Sequence, residues 1–298
     1  MAGLIKAQVQ LGADATPTNN FMLDSSAANG TMKIARGNSG ATTQDILTVD
    51  ATGNVWFQGY GRVVHLTTNY TPVATDNNSL FVLDAPLTFT LPAVATLPAP
   101  YRVKLKQGAL TGTLMNIAVS STDTIAISGA SVNTLKMAVL GDHLILESDP
   151  VAGKWQVVTD GIQGPNCIIT FAGPAGGMTN GIPARMNLNS KASDPYNSYD
   201  AVTNFRFTPP VPGMYQISAQ IYLAGAAANR ATVLIYKNSA QYTYGQHSYS
   251  PNDGVYTVST PVFLNGTTDY IEIWGIIIDA NGSFGTALPS MLTCQRIK

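Results

Sequence analysis

Glutamate is nearly missing from this sequence: Glu147 and Glu272 stand against thirty-two threonines in 298 residues. Glu, Lys and Leu fill helices, whereas Thr, Val, Ile and Tyr fill strands, so the shortage speaks for an all-β chain. Charge of either sign is also scarce, at 11%, where a soluble domain commonly carries about 25%. The 16 Lys+Arg and 17 Asp+Glu leave a net charge of -1. Nucleic-acid binding needs a basic excess to neutralise phosphates, and disorder needs high net charge with low hydrophobicity; a chain that is 45% hydrophobic fits neither. No apolar run approaches the ~20 residues of a membrane-crossing helix; the longest, Trp274–Ile278, is a handful. The stretch Met1–Lys6 lacks the apolar segment of a secretory signal, so synthesis in a cytoplasm is expected and membrane insertion is not.

The groups that carry catalysis are thinly spread. His65, His143 and His247 fall in three separate segments, and no His-Glu-x-x-His, Gly-x-Ser-x-Gly or Walker-type glycine loop is present. A glycan-cleaving enzyme needs two carboxylates roughly 5–10 Å apart. Asp194 and Asp200 flank a tyrosine-rich loop and are the pair to consider, with turn capping of backbone N–H groups as the favoured role. No catalytic residues and no cofactor are expected. Asp76-Asn-Asn and Asp279-Ala-Asn-Gly offer oxygen ligands but lack the length and terminal Glu of an EF-hand loop, so they read as polar turns and no metal site is assigned.

Along the chain the composition shifts twice. Residues 1–61 are polar and rich in small residues, with short strands at Phe21–Leu23, Thr31–Ala35, Asp45–Val49 and Val55–Phe57. The turn Asp50-Ala-Thr-Gly-Asn54 makes a β-hairpin of residues 45–57. The apolar content is too thin for a private core, so this segment is expected to fold against neighbours or copies of itself. Residues 62–163 hold short strand candidates at roughly 8–12-residue spacing, the pattern of a small β-sandwich or barrel. In Tyr101-Arg-Val-Lys-Leu-Lys106 apolar and basic residues alternate, one face dry and one wet. Gly161–Pro165 reads as a linker. Residues 164–298 are the most hydrophobic, with long strands at Met214–Leu223, Ala231–Lys237, Val255–Leu264 and Tyr270–Ile278. In the last, Ile271, Ile273 and Ile277 share one face while Tyr270, Trp274, Ile276 and Ile278 share the other. A strand apolar on both faces is buried on both. One face meets the core and the other a further subunit, with Tyr222 on the back of its own strand in the same role. A closed cyclic homo-oligomer follows.

Two stretches resemble known families. Leu11-Gly-Ala-Asp-Ala-Thr-Pro-Thr-Asn-Asn-Phe21, continuing through Gly37-Asn-Ser-Gly-Ala-Thr-Thr-Gln-Asp-Ile-Leu-Thr-Val-Asp-Ala-Thr-Gly-Asn-Val55, looks like a segment recurring in tail-fibre and receptor-binding proteins of tailed bacteriophages. Asp200-Ala-Val-Thr-Asn-Phe-Arg-Phe-Thr-Pro-Pro-Val-Pro-Gly-Met-Tyr-Gln-Ile217, followed in order by Ala231-Thr-Val-Leu-Ile-Tyr-Lys-Asn238 and Asp269-Tyr-Ile-Glu-Ile-Trp-Gly275, is similar to the C1q/TNF pattern. The second resemblance implies a C1q/TNF-like jelly roll that trimerises about a threefold axis. It makes the first and last strands of the block neighbours, which brings Cys167 and Cys294 close as two buried thiols or a bridge. The first implies residence in the virion tail, with the N-terminal segment attached to other tail or virion proteins. No Gly-X-Y stalk or secretory cysteine framework accompanies the head, which speaks against a secreted animal ligand.

Ten of the thirteen tyrosines fall after residue 195. Gln241-Tyr-Thr-Tyr-Gly-Gln-His-Ser-Tyr-Ser250 gathers Tyr242, Tyr244, His247 and Tyr249. Tyrosine offers large contact area at low conformational cost, so these four, with Tyr196 and Tyr199 of the polar loop 187–200, are the candidates for binding a bacterial surface glycan or protein. Tyr222, Tyr270, Trp274, Ile276 and Ile278 are the candidates for the trimer contact. The expected function is attachment of a phage to its host by a trimeric head. The alternatives are a purely structural virion trimer (a capsid decoration, collar fibre or tail plug) and, more remotely, a glycan-cleaving enzyme.

Overall fold

The computed structural model describes residues 8–11, 21–24, 32–38, 41–49, 55–57 and 62–297, the last apart from 98–99, 111, 121, 172–176, 225–227, 246–247, 251–253, 279–281 and 285–289. Among the described residues the elements are strands joined by turns and two short 3-10 turns, in three successive units.

The first unit is an antiparallel meander in which Gln8–Leu11, Phe21–Asp24, Met32–Asn38, Ala41–Val49 and Val55–Phe57 pair in chain order. The hairpin expected over 45–57 is present, with Val49 opposite Val55, but it is the last part of a five-stranded sheet. Leu23, Met32 and Ile34 are exposed on it.

The central unit packs a seven-stranded sheet against a three-stranded one. Its winding differs from that of a simple hairpin sandwich or barrel. Val63–Leu66, Leu80–Leu83 and Arg102–Gln107 stack parallel in the larger sheet. Thr88–Leu91 and Met115–Val119 stack parallel in the smaller one, with Tyr70 bridged to Phe89. The chain thus visits one sheet and then the other, coil upon coil, before Thr124–Ile127, Ala130–Val132, Thr134–Met137, His143–Asp149 and Lys154–Asp160 complete the unit. Short strands with turns on each side allow this as readily as hairpins, because their spacing fixes length and not direction. Phe81, Phe89, Leu105, Ile117 and Trp155 are buried between the sheets. Alternation in the 102–107 strand does what the pattern demands: Val103 and Leu105 face inward, and Arg102 and Lys106 face water.

The third unit is a two-sheet jelly-roll sandwich. One sheet is centred on Gly213–Ala224, which pairs with Gly254–Leu264 on one side and Met291–Ile297 on the other; Cys167–Thr170 and Ser190–Ser193 extend it. The other is centred on Ile271–Ile278 and Ala228–Lys237, flanked by Arg206–Phe207, Tyr199–Asp200 and Ala240–Tyr244. Ile217, Ile221, Val233, Ile235, Ile271, Ile273 and Ile277 meet in the core. Cys167 and Cys294 stand directly opposite one another across neighbouring strands. Both are buried free thiols, and burial, with the neighbouring Cys167, raises the Cys294 thiol well above its ordinary range.

The linker is packed, not loose. Ile162 is buried in the central core together with Tyr196 and Val211 of the third unit. The Arg296 guanidinium grips both Asp160 carboxylate oxygens at 2.6 and 3.1 Å and donates to the Pro212 carbonyl at 3.0 Å. The Pro-Gly turn that opens the long 213–224 strand therefore sits at the joint. A side chain at Gly213, whose φ is +153°, would press on the Arg296 Nε at 2.9 Å.

Candidate functional site

The tyrosines expected to face a receptor divide sharply. Tyr196 is 1% exposed. It projects from the 194–198 turn into the central unit, where its hydroxyl donates to the Asp142 carboxylate. That carboxylate also accepts from the backbone N–H of Ala138, Val139 and Gln163. Burial, reinforced by the negative Asp142, raises the Tyr196 hydroxyl far above its ordinary range. The path to Asp142 depends on Gly164: a Cβ there would lie 2.4 Å from the Tyr196 ring. Tyr199 is buried in the sandwich core, and burial raises its hydroxyl as well. Neither tyrosine reaches a surface, so both are withdrawn as contact residues. A polar loop over a sandwich needs apolar anchors underneath, and these two supply them.

Tyr242 and Tyr244 do face solvent, at 48% and 55% exposure. They lie on the Ala240–Tyr244 strand, which pairs with Ala228–Lys237. Tyr249 lies on Ser248–Ser250 at the far end of the same partner strand, and its side chain is outside the described residues, as is His247.

The trimer candidates fall on two different sheets. Trp274, Ile276 and Ile278 are half-buried on the outer side of Ile271–Ile278. There Trp274 stacks on Tyr236 with ring centroids 4.8 Å apart and donates from its indole N–H to Glu272 at 3.3 Å. Tyr270 is covered by the Arg206 guanidinium, 4.3 Å from its ring centre. Tyr222 is buried on the opposite sheet. No single flat contact takes in all five. On that opposite sheet a second apolar feature appears which periodicity did not single out. Phe263, Met214 and Ile297 form one cross-strand row, exposed by 36, 39 and 38%. Below it the face turns polar, with Gln216 donating to Ser259 at 2.7 Å.

Asp194 and Asp200 both cap turns. Asp194 accepts from the N–H of Ser198 and Tyr199 and pairs with Lys191. Asp200 accepts from Val202, Thr203 and Asn204 N–H groups and from the Asn204 amide. The Thr203 and Val202 donors lead in holding its carboxyl down to about 2. Asp76, considered above as a metal-loop residue, is fully buried and committed to Arg62, Tyr70 and the Val73 N–H. The other loop considered, at Asp279, lies outside the described residues.

These two turns frame an open cavity of about 440 Å³. Its walls include Lys191, Asn197, Ser198, Asn204, Arg206 and Thr208. Sequence reasoning named the loop but chose its tyrosines. Arg206 was within view, inside the Asn204-Phe-Arg-Phe207 stretch, yet nothing in a lone arginine marks it until the turn brings Lys191 to the same cavity.

No family model matches the chain, and no curated protein matches it. Among solved structures this chain is similar to the globular domain of zebrafish complement 1qA protein (15% identity, TM-score 0.34, covering 45% of this chain and 97% of that one). It is also similar to Eiger TNF from S. frugiperda (14% identity, TM-score 0.34, 45% and 94%). A further likeness is to the PRD1 vertex protein P5 (12% identity, TM-score 0.35, 45% and 96%).

Proposed function

We propose that this chain is an attachment protein of a tailed bacteriophage, a tail fibre or tail-tip component whose jelly-roll head forms a homotrimer and holds the virion to a molecule of the host surface. The observation that carries the self-association is the exposed row Phe263–Met214–Ile297. Three large apolar side chains abreast on a flat sheet are costly to leave in water, at roughly 25 cal/mol per Å² of apolar surface. A second copy covers them without any new element. The Trp274 face has less need of cover, since stacking on Tyr236 and the neighbouring Glu272 already occupy it within one chain. The phage-like N-terminal segment supports the virion setting, and the exposed Tyr242 and Tyr244 with the polar cavity of the 190–208 loop support adhesion. Three modest sites on one trimer act together, because the second and third contacts are intramolecular.

The test is competition. Purified chain added to host cells before the phage should block adsorption. Cells that remain fully adsorbing at micromolar trimer would instead support the purely structural role.

A further inference from the structure

The five-stranded sheet of the first unit sorts its residues by side. Register carries one cross-strand row through all five strands: Val9, Leu23, Ile34, Leu47 and Phe57 stand opposite one another in turn. Met32, Val49 and Val55 form the next row on that side, two residues along. Beyond the first row lie Leu11 and Phe21, with Arg36 and Gln44 at the rim. The alternate side carries Gln8, Asp24, Lys33 and Thr48, with Trp56 at its edge. Leu23, Met32 and Ile34, all on the apolar side, are 39, 39 and 36% exposed. In the central unit and the head the apolar side chains gather in cores, and among the described residues none from this side belongs to either core. A single sheet makes no core of its own, because an apolar face is buried only against a second layer.

We infer that the second layer is the same side of two further copies, so that three sheets close into a three-sided prism with Ile34, on the central strand, next to its axis. The inference rests on the homotrimer proposed above and extends it from the head to the other end of the chain. Size favours copies over a foreign partner. By strand spacing the apolar side measures about 20 Å across the strands and about 14 Å along them, on the order of 300 Å². A stable partner buries roughly 800 Å² on each side, so this face is too small to capture a free protein. It is large enough for copies that the head has already gathered, since their contact is then intramolecular. Composition agrees: a surface with one charge, Arg36, at its rim gives a foreign partner little to recognise and matches its own copy. Two sheets face to face would leave the third bare, whereas closure about a threefold axis treats all three alike. The edge strands, Gln8–Leu11 and Val55–Phe57, then meet at the corners of the prism, where the open edge of one copy lies against the next.

Cysteine cross-linking of the whole chain tests it, read beside the mass of the same particle in solution. I34C and L23C place a thiol in the five-strand row, and K33C places one on the alternate side. The native chain, whose Cys167 and Cys294 are both buried, is the control. A short bismaleimide should join I34C and L23C chains into covalent dimers on a denaturing gel, two of the three thiols linking and the third left over. K33C and the native chain should stay at 31.4 kDa. F263D, which parts the heads, should abolish the I34C cross-link, because the sheet face alone does not gather copies. A particle of three times 31.4 kDa in which neither I34C nor L23C gives a covalent dimer overturns the inference; the trimer then stands and the apolar side is left to another virion protein. Equal cross-linking of I34C and K33C overturns it as well, since neither side is then the one between copies. A particle of 31.4 kDa that gives no cross-link overturns both readings.

Discussion

At the scale of single residues, the two carboxylates of the 190–208 loop and the tyrosine between them do structural work that can be measured. Removing the Tyr196 hydroxyl in Y196F takes one donor from Asp142, a fully buried carboxylate. A lost hydrogen bond to a buried charge costs about 1.5–3 kcal/mol, and equilibrium denaturation should show that loss with the fold retained. Asp200 gives a pH signature. Its folded-state carboxyl is lowered from 3.8 to about 2 by the turn N–H groups, so the stability it contributes is fully present above the unfolded value and drains away as pH falls towards 2. D200N should therefore melt below the native chain at neutral pH, and the two should converge in acid. A gap that persists unchanged at pH 2 would mean the turn does not depend on that charge. The capping role of Asp194 and Asp200 was legible, because Asp ahead of a short polar run is a turn signal. The inward direction of Tyr196 and Tyr199 was not, since an aromatic residue in a polar loop has the same sequence whether it anchors the loop or decorates it.

At the scale of elements, strand positions were readable and strand directions were not. Alternation over Tyr101–Lys106 and Ile271–Ile277 marks which side faces the core, and those sides are the ones buried. Parallel stacking of Val63–Leu66, Leu80–Leu83 and Arg102–Gln107 depends on which corner each turn takes, and no local residue declares that. The two weak strands Ala130–Val132 and Thr134–Met137 carry little signal in the sequence, because Ser, Asn and Lys break their apolar pattern. The joint between the central unit and the head was hidden as well: Arg296 and Asp160 are far apart in the chain and meet only when both units are folded. Arg296 is almost wholly buried there, and breaking such a pair leaves a charge behind. R296M should lower stability by on the order of 3 kcal/mol, and calorimetry should resolve separate melting of the two units. A single unaltered transition would show that the units are not coupled through this clamp.

At the scale of the whole molecule, the account turns on which surface the head hides. Both outer sheet faces carry apolar side chains. The row Phe263–Met214–Ile297 is the more exposed, while Trp274 is satisfied in part by its own chain. F263D should therefore break the assembly, placing a charge where a second copy would sit. W274A should lower the melting temperature through the lost Tyr236 stack while leaving the mass of the particle unchanged; the reverse outcome would move the contact to the second sheet. The most direct test is the mass of the native chain in solution by light scattering after size-exclusion chromatography. The account predicts three times 31.4 kDa at micromolar concentration, held until the head itself unfolds. A stable particle of 31.4 kDa would contradict it.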